Sequence, residues 1–479
     1  MKKYLAIIFT FALALLLVAC KDDNGKGSNT GKVVLSYADW ADPVFNRKML
    51  DAFEEKYDHI EVQLRTDIMG SGQEFTGNLI DAAQGGLLPD VFVTDNVPAV
   101  VAPGLTRDVS SFWDNDEDAD LVYEFMASTA IYNNKRFALP SFQFFKGIMI
   151  NLDIFANANL TTVDGKYRID DDGYPVKDWT FSEMIEIAKA IKNISSDPNE
   201  TVAGLDTWYG RPDFQQVWPM MQEENVMYDT WDGEKFNYNT KNWIDALAAS
   251  VSLHQLTDGT TTRFTEEQLE QYPHLAGYLI QTGIGAMDIE GSWQFWVIQD
   301  AKENDINLGF WPYPRAEAGG TLYPPVVLDY LSVSSQTEHP EEAYLLAKWM
   351  SYGRDGWNAR INLIKEQNAE LVAEGKPVSY LDRFPVADYP EVWSEVETLT
   401  DGIEGITEIF DNIENSKPDV DKWLPGYREF WSWVNEDAEN PYNWDSLEAQ
   451  GPSAAATFAV EWEKKINQIV KDAFEELGK

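Results

Sequence analysis

Strand-like and helix-like patterns alternate through the first hundred residues, and this alternation restricts the fold more than any other feature of the sequence. The patterns are an apolar run at 33–37, a helical stripe at 45–57, an alternating strand at 60–65, a helix at about 73–84 and an apolar strand at 91–94. Strands that are separated by helices pair in parallel through right-handed crossovers. The carboxyl ends of such strands meet at one edge of the sheet, which predicts that Trp40, Asp42 and Asp95 lie together there.

The composition is that of a folded, strongly acidic protein with more than one domain. The 479 residues exceed what a single core usually holds, and 44% of them are hydrophobic. A formal net charge of −43 excludes nucleic acid as a partner of the whole chain, because phosphate binding requires basic surface. The single cysteine excludes an intrachain disulfide, and the four histidines are too scattered in the sequence to predict a metal site.

The amino terminus has the pattern of a targeting segment. Two lysines at 2–3 precede an apolar run at 5–19 that is too short for a comfortable membrane span. The run ends in Leu-Val-Ala-Cys at 17–20, which resembles the lipobox of bacterial lipoproteins. We therefore expect cleavage before Cys20, a lipid on its thiol, and a polar tether at 20–31 that holds the protein outside the membrane. The alternative is an ordinary secretory peptide with an incidental cysteine.

A strand–turn–helix pattern between 283 and 296 gathers acids and aromatic residues. Asp288 and Glu290 precede a Gly-Ser turn, and Trp293 and Trp296 follow it. Flat apolar faces beside hydrogen-bonding carboxylates suit a sugar ring. The alternative is a buried tryptophan pair that holds the helix to its sheet, and for Trp296 we favour that interpretation because large aromatic residues are mostly buried.

Short motifs follow one another in a fixed order along the chain. The central one is the run 137–155, with Leu-Pro-Ser, an aromatic segment at 142–145 and Ile-Met-Ile-Asn at 148–151. The others are 53–57, 87–91, 179–184, 285–287 with 291–293, and 340–343. In content and order this series resembles the family 1 extracellular solute-binding proteins of ABC importers, which are similar to maltose-binding protein. The returning strand departs from the family pattern, since it places Asp329 and an aromatic residue near the hinge, and the chain is longer than many relatives after Gly353.

The resemblance implies a two-lobed, periplasmic-binding-protein-like α/β fold with a hinge. Each lobe is expected to be a mainly parallel sheet flanked by helices. The expected segments are a signal peptide at 1–19, the tether at 20–31, the first lobe at 32–141 and 327–375, and the second lobe at 142–326 and 376–479.

Ligand contacts are expected where these motifs approach the cleft between the lobes. The candidates are Trp40, Asp42, Asp95, Phe142, Gln143, Trp208, Tyr209, Glu290, Trp293 and Asp329. Trp208 and Trp293 are the favoured stacking platforms, and Asp42 and Asp95 the favoured acceptors. The alternative roles are core packing for the tryptophans and helix capping for the acids. The tryptophan-rich segment 416–445 fits either a ligand-facing loop or a packed cap.

These features predict a binding protein, with an oligosaccharide as the favoured ligand. The resemblance implies a monomer without a cofactor that passes its ligand intact to an ABC permease. A polyamine binder of the same fold remains an alternative, because aromatic faces with carboxylates also suit ammonium groups. A glycosidase that uses two carboxylates is a weaker alternative. The sequence has 80 acidic residues, so nearby pairs are almost inevitable and a pair is poor evidence for catalysis. Iron and phosphorylated ligands are disfavoured, whereas Arg211 beside Trp208 leaves room for a uronic acid.

Overall fold

The computed structural model describes residues 31–193, 195, 200–206, 214–255, 266–271 and 277–478. The strands are β1 Val33–Ala38, β2 Ile60–Leu64, β3 Val91–Thr94, β4 Ile131–Tyr132, β5 Lys135–Arg136, β6 Leu139–Asn151, β7 Met287–Gly291, β8 Leu308–Pro312, β9 Pro325–Val333 and β10 Lys417–Pro418. The helices of the first half are α1 Pro43–Lys56, α2 Gly72–Gln84, α3 Val97–Val101, α4 Ser110–Trp113, α5 Glu124–Ala127, α6 Leu152–Ala158, α7 Phe181–Ile191, α8 Phe214–Val217 and α9 Lys241–Gln255. Those of the second half are α10 Glu266–Gln271, α11 Phe295–Glu303, α12 Pro340–Met350, α13 Arg354–Ala373, α14 Pro390–Leu399, α15 Thr407–Phe410, α16 Tyr427–Asn435, α17 Trp444–Gln450 and α18 Ala455–Leu477.

Strand β6 belongs to two sheets and connects them. Its first part, Leu139 to Phe145, pairs with β9 in a sheet of order β2-β1-β3-β9-β6, in which β10 also pairs with β9. Its second part, Lys146 to Asn151, pairs with β7 and β8. We call these the first and the second sheet. One continuous strand that passes between two sheets gives a two-lobed α/β molecule, which confirms the predicted fold class.

Both sheets are mixed, so the expectation of mainly parallel lobes is wrong in this detail. In the first sheet β1 is parallel to β2 and β3, but β9 is antiparallel to both β3 and β6. In the second sheet β7 and β8 are antiparallel to β6, and parallel pairing occurs at the bridges Ala203–Gly285 and Asp206–Asp288. The reason is topological. Strand β6 leaves the first sheet and β9 returns to it alongside, and neighbouring strands with opposite courses pair in antiparallel fashion.

The local patterns of the amino-terminal half are confirmed. Helix α1 begins at Pro43, is capped by Asp42, and buries Met49, Leu50 and Phe53 against the sheet. Helix α7 has a capping box, in which the Thr180 side chain accepts from the N–H of Glu183 and the Glu183 carboxylate accepts from the N–H of Thr180. These caps fix the ends of the helices that cover each sheet.

The acidic turn at 170–173 is a hairpin turn. The N–H of Asp170 donates to Tyr174 O at 2.8 Å, and the Asp170 carboxylate accepts from the N–H groups of Asp172 and Tyr174. The carboxylate is thus used by its own turn. In the part of the chain that the structure describes, no group of three or more His, Cys, Asp or Glu side chains could hold a metal ion.

The segment 391–413 does not form one continuous helix. Helix α14 ends at Leu399, and the chain turns at Gly402 and Gly405, which have φ of +98° and +95°. A Cβ atom at Gly405 would lie 2.6 Å from the Trp311 ring and 2.7 Å from Phe310 O. The turn therefore requires glycine both for its backbone conformation and for its contact with β8.

The predicted targeting segment and lipid site at Cys20 lie outside the described residues and stay predictions, as do the segment boundaries. No helix among the described residues is both long and apolar enough to cross a membrane.

Candidate functional site

One face of the first sheet leads to the point where β6 changes sheets. Phe142, Phe144 and Lys146 alternate along β6 and therefore share a face. On β9, Asp329 lies opposite Phe142 and Val327 opposite Phe144. This face brings together two of the predicted site residues, Phe142 and Asp329, beside a lysine and the start of the second sheet.

The carboxylates of Asp95 and Asp329 are both held by cations from the carboxyl-terminal part of the chain. Arg428 Nη1 lies 2.8 Å from Asp95 Oδ2, and Lys422 Nζ lies 2.5 Å from Asp329 Oδ1. The Arg428 guanidinium also bonds Asp421. Asp95 and Asp329 are only 7% exposed, so these pairs neutralise charge in a buried position. The acids lie at the predicted sheet edge, but each carboxylate is already paired with a cation.

Trp293 lies against the turn that ends β7. A Cβ atom at Gly291 would come within 2.3 Å of the Trp293 indole, so the ring needs a glycine beneath it. Its ring contacts Phe144 edge-on at 6.2 Å, which links it to the shared face of β6. The Glu290 side chain also hydrogen-bonds Trp293, and burial raises the pKa of Glu290. Trp293 is partly exposed and Glu290 is buried.

Three other predicted residues have local partners elsewhere. Trp40 packs edge-on against Phe75 at 5.3 Å, and Asp42 is an exposed cap on α1 that accepts from Val44 N–H at 3.0 Å. Gln143 is fully buried on the opposite face of β6, where its amide donates to Pro385 O. Gln143 therefore does not lie on the face that Phe142 and Asp329 share. Trp208 and Tyr209 lie outside the described residues.

Trp296 differs from the expectation of core packing. It is 55% exposed on α11, so the two tryptophans at 293 and 296 do not form a buried pair.

Asp288 and Glu290 share one hydroxyl inside the second sheet. Tyr278 Oη donates to Asp288 Oδ2 at 2.7 Å and lies 3.4 Å from Glu290 Oε2. Both acids are 2% exposed, and burial raises the pKa of each. Both carboxyl groups are therefore buried and hydrogen-bonded, and neither is exposed in a cleft.

A pocket of about 380 Å³ opens where β6 and β9 meet the carboxyl-terminal segment. Its lining combines aromatic rings with polar side chains. The lining residues are Lys146, Gln215, Gln216, Tyr228, Val327, Asp419, Val420, Asp421, Tyr427, Trp431, Asn435 and Trp444. We call it the crossover pocket. It draws residues from the first sheet, the second sheet, α8 and the segment 416–445.

Two charged groups of the crossover pocket are shifted by burial. Burial lowers the pKa of Lys146 to about 8 and raises that of Asp419 to about 7. Lys146 interacts electrostatically with both Glu290 and Asp419, and so connects Trp293 to the pocket. The hydroxyl of Tyr228 is buried in the pocket wall and has no hydrogen-bond partner among the described residues.

Sequence reasoning missed the lining of the crossover pocket. It offered two roles for the segment 416–445, a ligand-facing loop or a packed cap, and tryptophans of this segment occupy both buried and pocket-lining positions. Trp423 is buried and its indole donates to Asp419 O at 2.7 Å, whereas Trp431 is partly buried and lines the pocket. The available signal was the aromatic pair Tyr427 and Trp431 at helical spacing, close behind two aspartates.

Two sheets that share a crossover strand, with a pocket at the crossover, define the two-lobed class of ligand-binding proteins. The family model for bacterial extracellular solute-binding proteins matches residues 37–351, about two thirds of the 479 residues. The chain belongs to this family.

Solved structures share the fold at low sequence identity. An ABC substrate-binding protein from Listeria monocytogenes is 18% identical with a TM-score of 0.62, and the alignment covers 91% of this chain and 98% of that one. A sugar transporter protein from Rhizobium etli in an open conformation is 18% identical with a TM-score of 0.63, covering 90% and 99%. The sugar-binding protein MalE from Xanthomonas citri is 14% identical with a TM-score of 0.62, covering 92% and 98%. No curated protein sequence matches the chain significantly.

Proposed function

We propose that this protein binds an oligosaccharide in the crossover pocket and delivers it to an ABC import permease. The observation that carries the proposal is the pocket lining, in which the rings of Tyr427, Trp431 and Trp444 lie with carboxylates and amides. Sugars present apolar ring faces and many hydroxyl groups, and this lining offers partners for both. A site that hydrogen-bonds hydroxyls discriminates well, because unpaired buried polar groups are costly.

The solved neighbours support a carbohydrate. The Listeria protein is in complex with cycloalternan, and a MalE domain of the same fold from Bdellovibrio bacteriovorus is bound to maltotriose. Those ligands belong to those proteins. Here they agree with a pocket whose lining suits a sugar.

The pocket also suggests how binding drives closure. Val327 lies on the first sheet, whereas Lys146 begins the part of β6 that pairs in the second sheet. A ligand that contacts both sides stabilises the closed form relative to the open form. The closed form would dock on the permease with its ligand intact. In this proposal the chain is a monomer without a cofactor, is not an enzyme, and is held to the membrane by a lipid on Cys20.

The alternatives of the sequence analysis fit the pocket less well. A polyamine would meet the buried ammonium of Lys146 in the wall, and Asp95 and Asp329 are already paired with Arg428 and Lys422. A glycosidase would need two accessible carboxylates, whereas Asp288 and Glu290 are buried around Tyr278.

The test is thermal unfolding of the purified protein with neutral mono- and oligosaccharides, uronates and polyamines. A ligand at a thousand times its dissociation constant stabilises the folded state by about 4 kcal/mol, which is readily measured. Stabilisation by one class of neutral oligosaccharide is the expected result. Stabilisation by polyamines alone would overturn the proposal in favour of a cation binder.

The Trp293→Ala variant is expected to bind the oligosaccharide at least about tenfold more weakly, a loss of about 1.4 kcal/mol. Trp293 does not line the crossover pocket, but it hydrogen-bonds Glu290, which interacts with Lys146 in the pocket wall, and it packs on Phe144 of the same strand. Calorimetric titration measures the affinity, and circular dichroism checks the fold. Trp296→Ala is the matched control, since that side chain is 55% exposed on α11. An unchanged dissociation constant in folded Trp293→Ala would remove Trp293 from the site.

A further inference from the structure

A second pocket, of about 260 Å³, lies between the start of α1, helix α13 and the segment 379–383. It does not share a lining residue with the crossover pocket. Its lining residues are Ala41, Asp42, Phe45, Asn46, Arg360, Ile364, Gln367, Ser379, Tyr380, Leu381, Asp382 and Arg383. We call it the arginine pocket. The proposed oligosaccharide function does not use it.

Arg360 is the unusual member of this lining. It is 5% exposed, and among the described residues its guanidinium has neither a hydrogen bond nor an ion pair. Its contacts are ring faces, at 4.6 Å from Phe142, 5.3 Å from Phe45 and 5.7 Å from Trp357. Burial and the neighbouring Arg383 lower the pKa of Arg360 to about 10, so it is charged at neutral pH. A buried guanidinium with five N–H donors and no acceptor is costly.

Asn46 adds a second unused donor to the same pocket. The residue is 3% exposed, and its Nδ2 has no acceptor among the described residues. Buried amide donors are rarely left without a partner in folded proteins. Two buried donors on different helices, α1 and α13, thus border one cavity.

The acids near the arginine pocket already have donors of their own. Asp382 pairs with Arg383 at 3.1 Å. Asp39 accepts from Tyr37 Oη at 2.6 Å and from a backbone N–H at 2.7 Å, and the exposed Asp42 caps α1. Each of these carboxylates is therefore engaged by a donor other than Arg360.

We propose that the arginine pocket binds the carboxylate of an acidic sugar such as a uronate. A planar guanidinium matches a carboxylate through two parallel hydrogen bonds, and the Asn46 amide supplies a further donor. Asp42, Gln367 and Ser379 offer partners for hydroxyl groups of the same ring. A dianionic phosphate is disfavoured, because Asp42 and Asp382 border the pocket and the chain carries a net charge of −43.

The test is calorimetric titration of the purified protein at pH 7 with glucuronate, glucose and inorganic phosphate. Glucuronate is expected to bind at least about tenfold more tightly than glucose, which has the same ring without the carboxylate. Phosphate is expected to bind more weakly than glucuronate. Equal affinities for glucuronate and glucose would overturn the proposal. Tighter binding of phosphate than of glucuronate would overturn the assignment of a carboxylate and indicate a different oxyanion as the ligand.

Variants locate the binding. Arg360→Met keeps the apolar stem without the guanidinium, and Arg360→Lys keeps a charge without the planar donor pair, so both are expected to weaken glucuronate binding at least about tenfold. The matched control is Arg354→Met on the same helix, where a partly exposed arginine pairs with Glu391 and lies outside the pocket. Wild-type glucuronate affinity in folded Arg360→Met or Arg360→Lys would overturn the assignment.

The two proposals fail separately. If neutral oligosaccharides bind to Arg360→Met as to the wild type while glucuronate does not, both proposals stand. If the wild type binds glucuronate but no neutral oligosaccharide, the arginine pocket stands without the proposed function, and the opposite result leaves the proposed function without the arginine pocket.

Discussion

The Trp431→Ala variant is expected to bind the oligosaccharide about a hundredfold more weakly than the wild type, a loss of about 2.7 kcal/mol. Trp431 is a partly buried ring in the wall of the crossover pocket, between Tyr427 and Asn435 on α16. Large aromatic anchors in desolvated pockets carry a major share of binding energy. Calorimetric titration with the sugar identified by thermal unfolding measures the loss.

Trp433→Ala is the matched control, because Trp433 lies two residues away on the same helix. It packs against Phe430 at 6.0 Å and beneath Lys465 at 5.5 Å, and it does not line the crossover pocket. Its affinity should remain close to that of the wild type. Trp431 also contacts Trp462, so the unfolding temperature of each variant must be measured as well. Equal losses in the two variants would show that stability, rather than contact with the ligand, explains the effect.

Much of the fold was predictable because its signals are local. The stripe of α1, the capping box of α7 and the apolar stripe of α18 each lie within one element, so periodicity reveals them. The crossover at β6 was found through a motif. The mixed pairing was not predicted, because strand direction depends on which distant strand lies alongside, and no pattern within β9 contains that information.

The candidate site was predictable only in part, for a related reason. Asp95 and Asp329 lie at the expected edge, but their cations come from Arg428 and Lys422, which are 333 and 93 residues away in the chain. The crossover pocket likewise combines residues near 146, 215, 327 and 419–444. A sequence pattern predicts which face of its own helix or strand a side chain occupies. It does not predict which residue of another helix or strand that side chain contacts.

One buried carboxyl group supports the wall of the crossover pocket by hydrogen-bonding a residue that lines it. Asp229 is fully buried, with φ of +56° in a short turn. Its carboxyl accepts from Tyr238 Oη and, at 3.1 Å, from Trp243 Nε1, and it also hydrogen-bonds the Tyr427 side chain. Burial raises the pKa of Asp229 to about 8, against the hydrogen bonds from these donors, which lower it. The carboxyl is therefore mostly protonated in the folded protein at neutral pH.

This group should make the protein less stable as pH rises from about 4 to about 8. Over that window the folded state binds a proton that the unfolded state, with an aspartate pKa near 3.9, has already lost. The stabilisation is complete below the unfolded pKa and is lost as pH rises through the folded pKa. The slope approaches 1.4 kcal/mol per pH unit, so the free energy of unfolding falls by about 4 kcal/mol between pH 5 and pH 8 from this residue.

The Asp229→Asn variant is expected to lose this pH dependence, because an amide does not titrate. Urea unfolding at pH 5, 6, 7 and 8 should give a flatter profile for the variant than for the wild type, although its amide group lowers stability at pH 5 by facing neighbouring donors. Asp419, with a pKa of about 7, contributes the same trend to both proteins, so the difference between their slopes isolates Asp229.

Asp232→Asn is the control. In the wild type, partial burial is outweighed by hydrogen bonds from Asn237 and backbone N–H groups, which lower the pKa of Asp232. That carboxylate is ionised throughout the window, so its removal should leave the slope unchanged. Parallel profiles for Asp229→Asn and the wild type would show that the carboxyl is already ionised in the folded protein, and that the donors around it stabilise a buried negative charge.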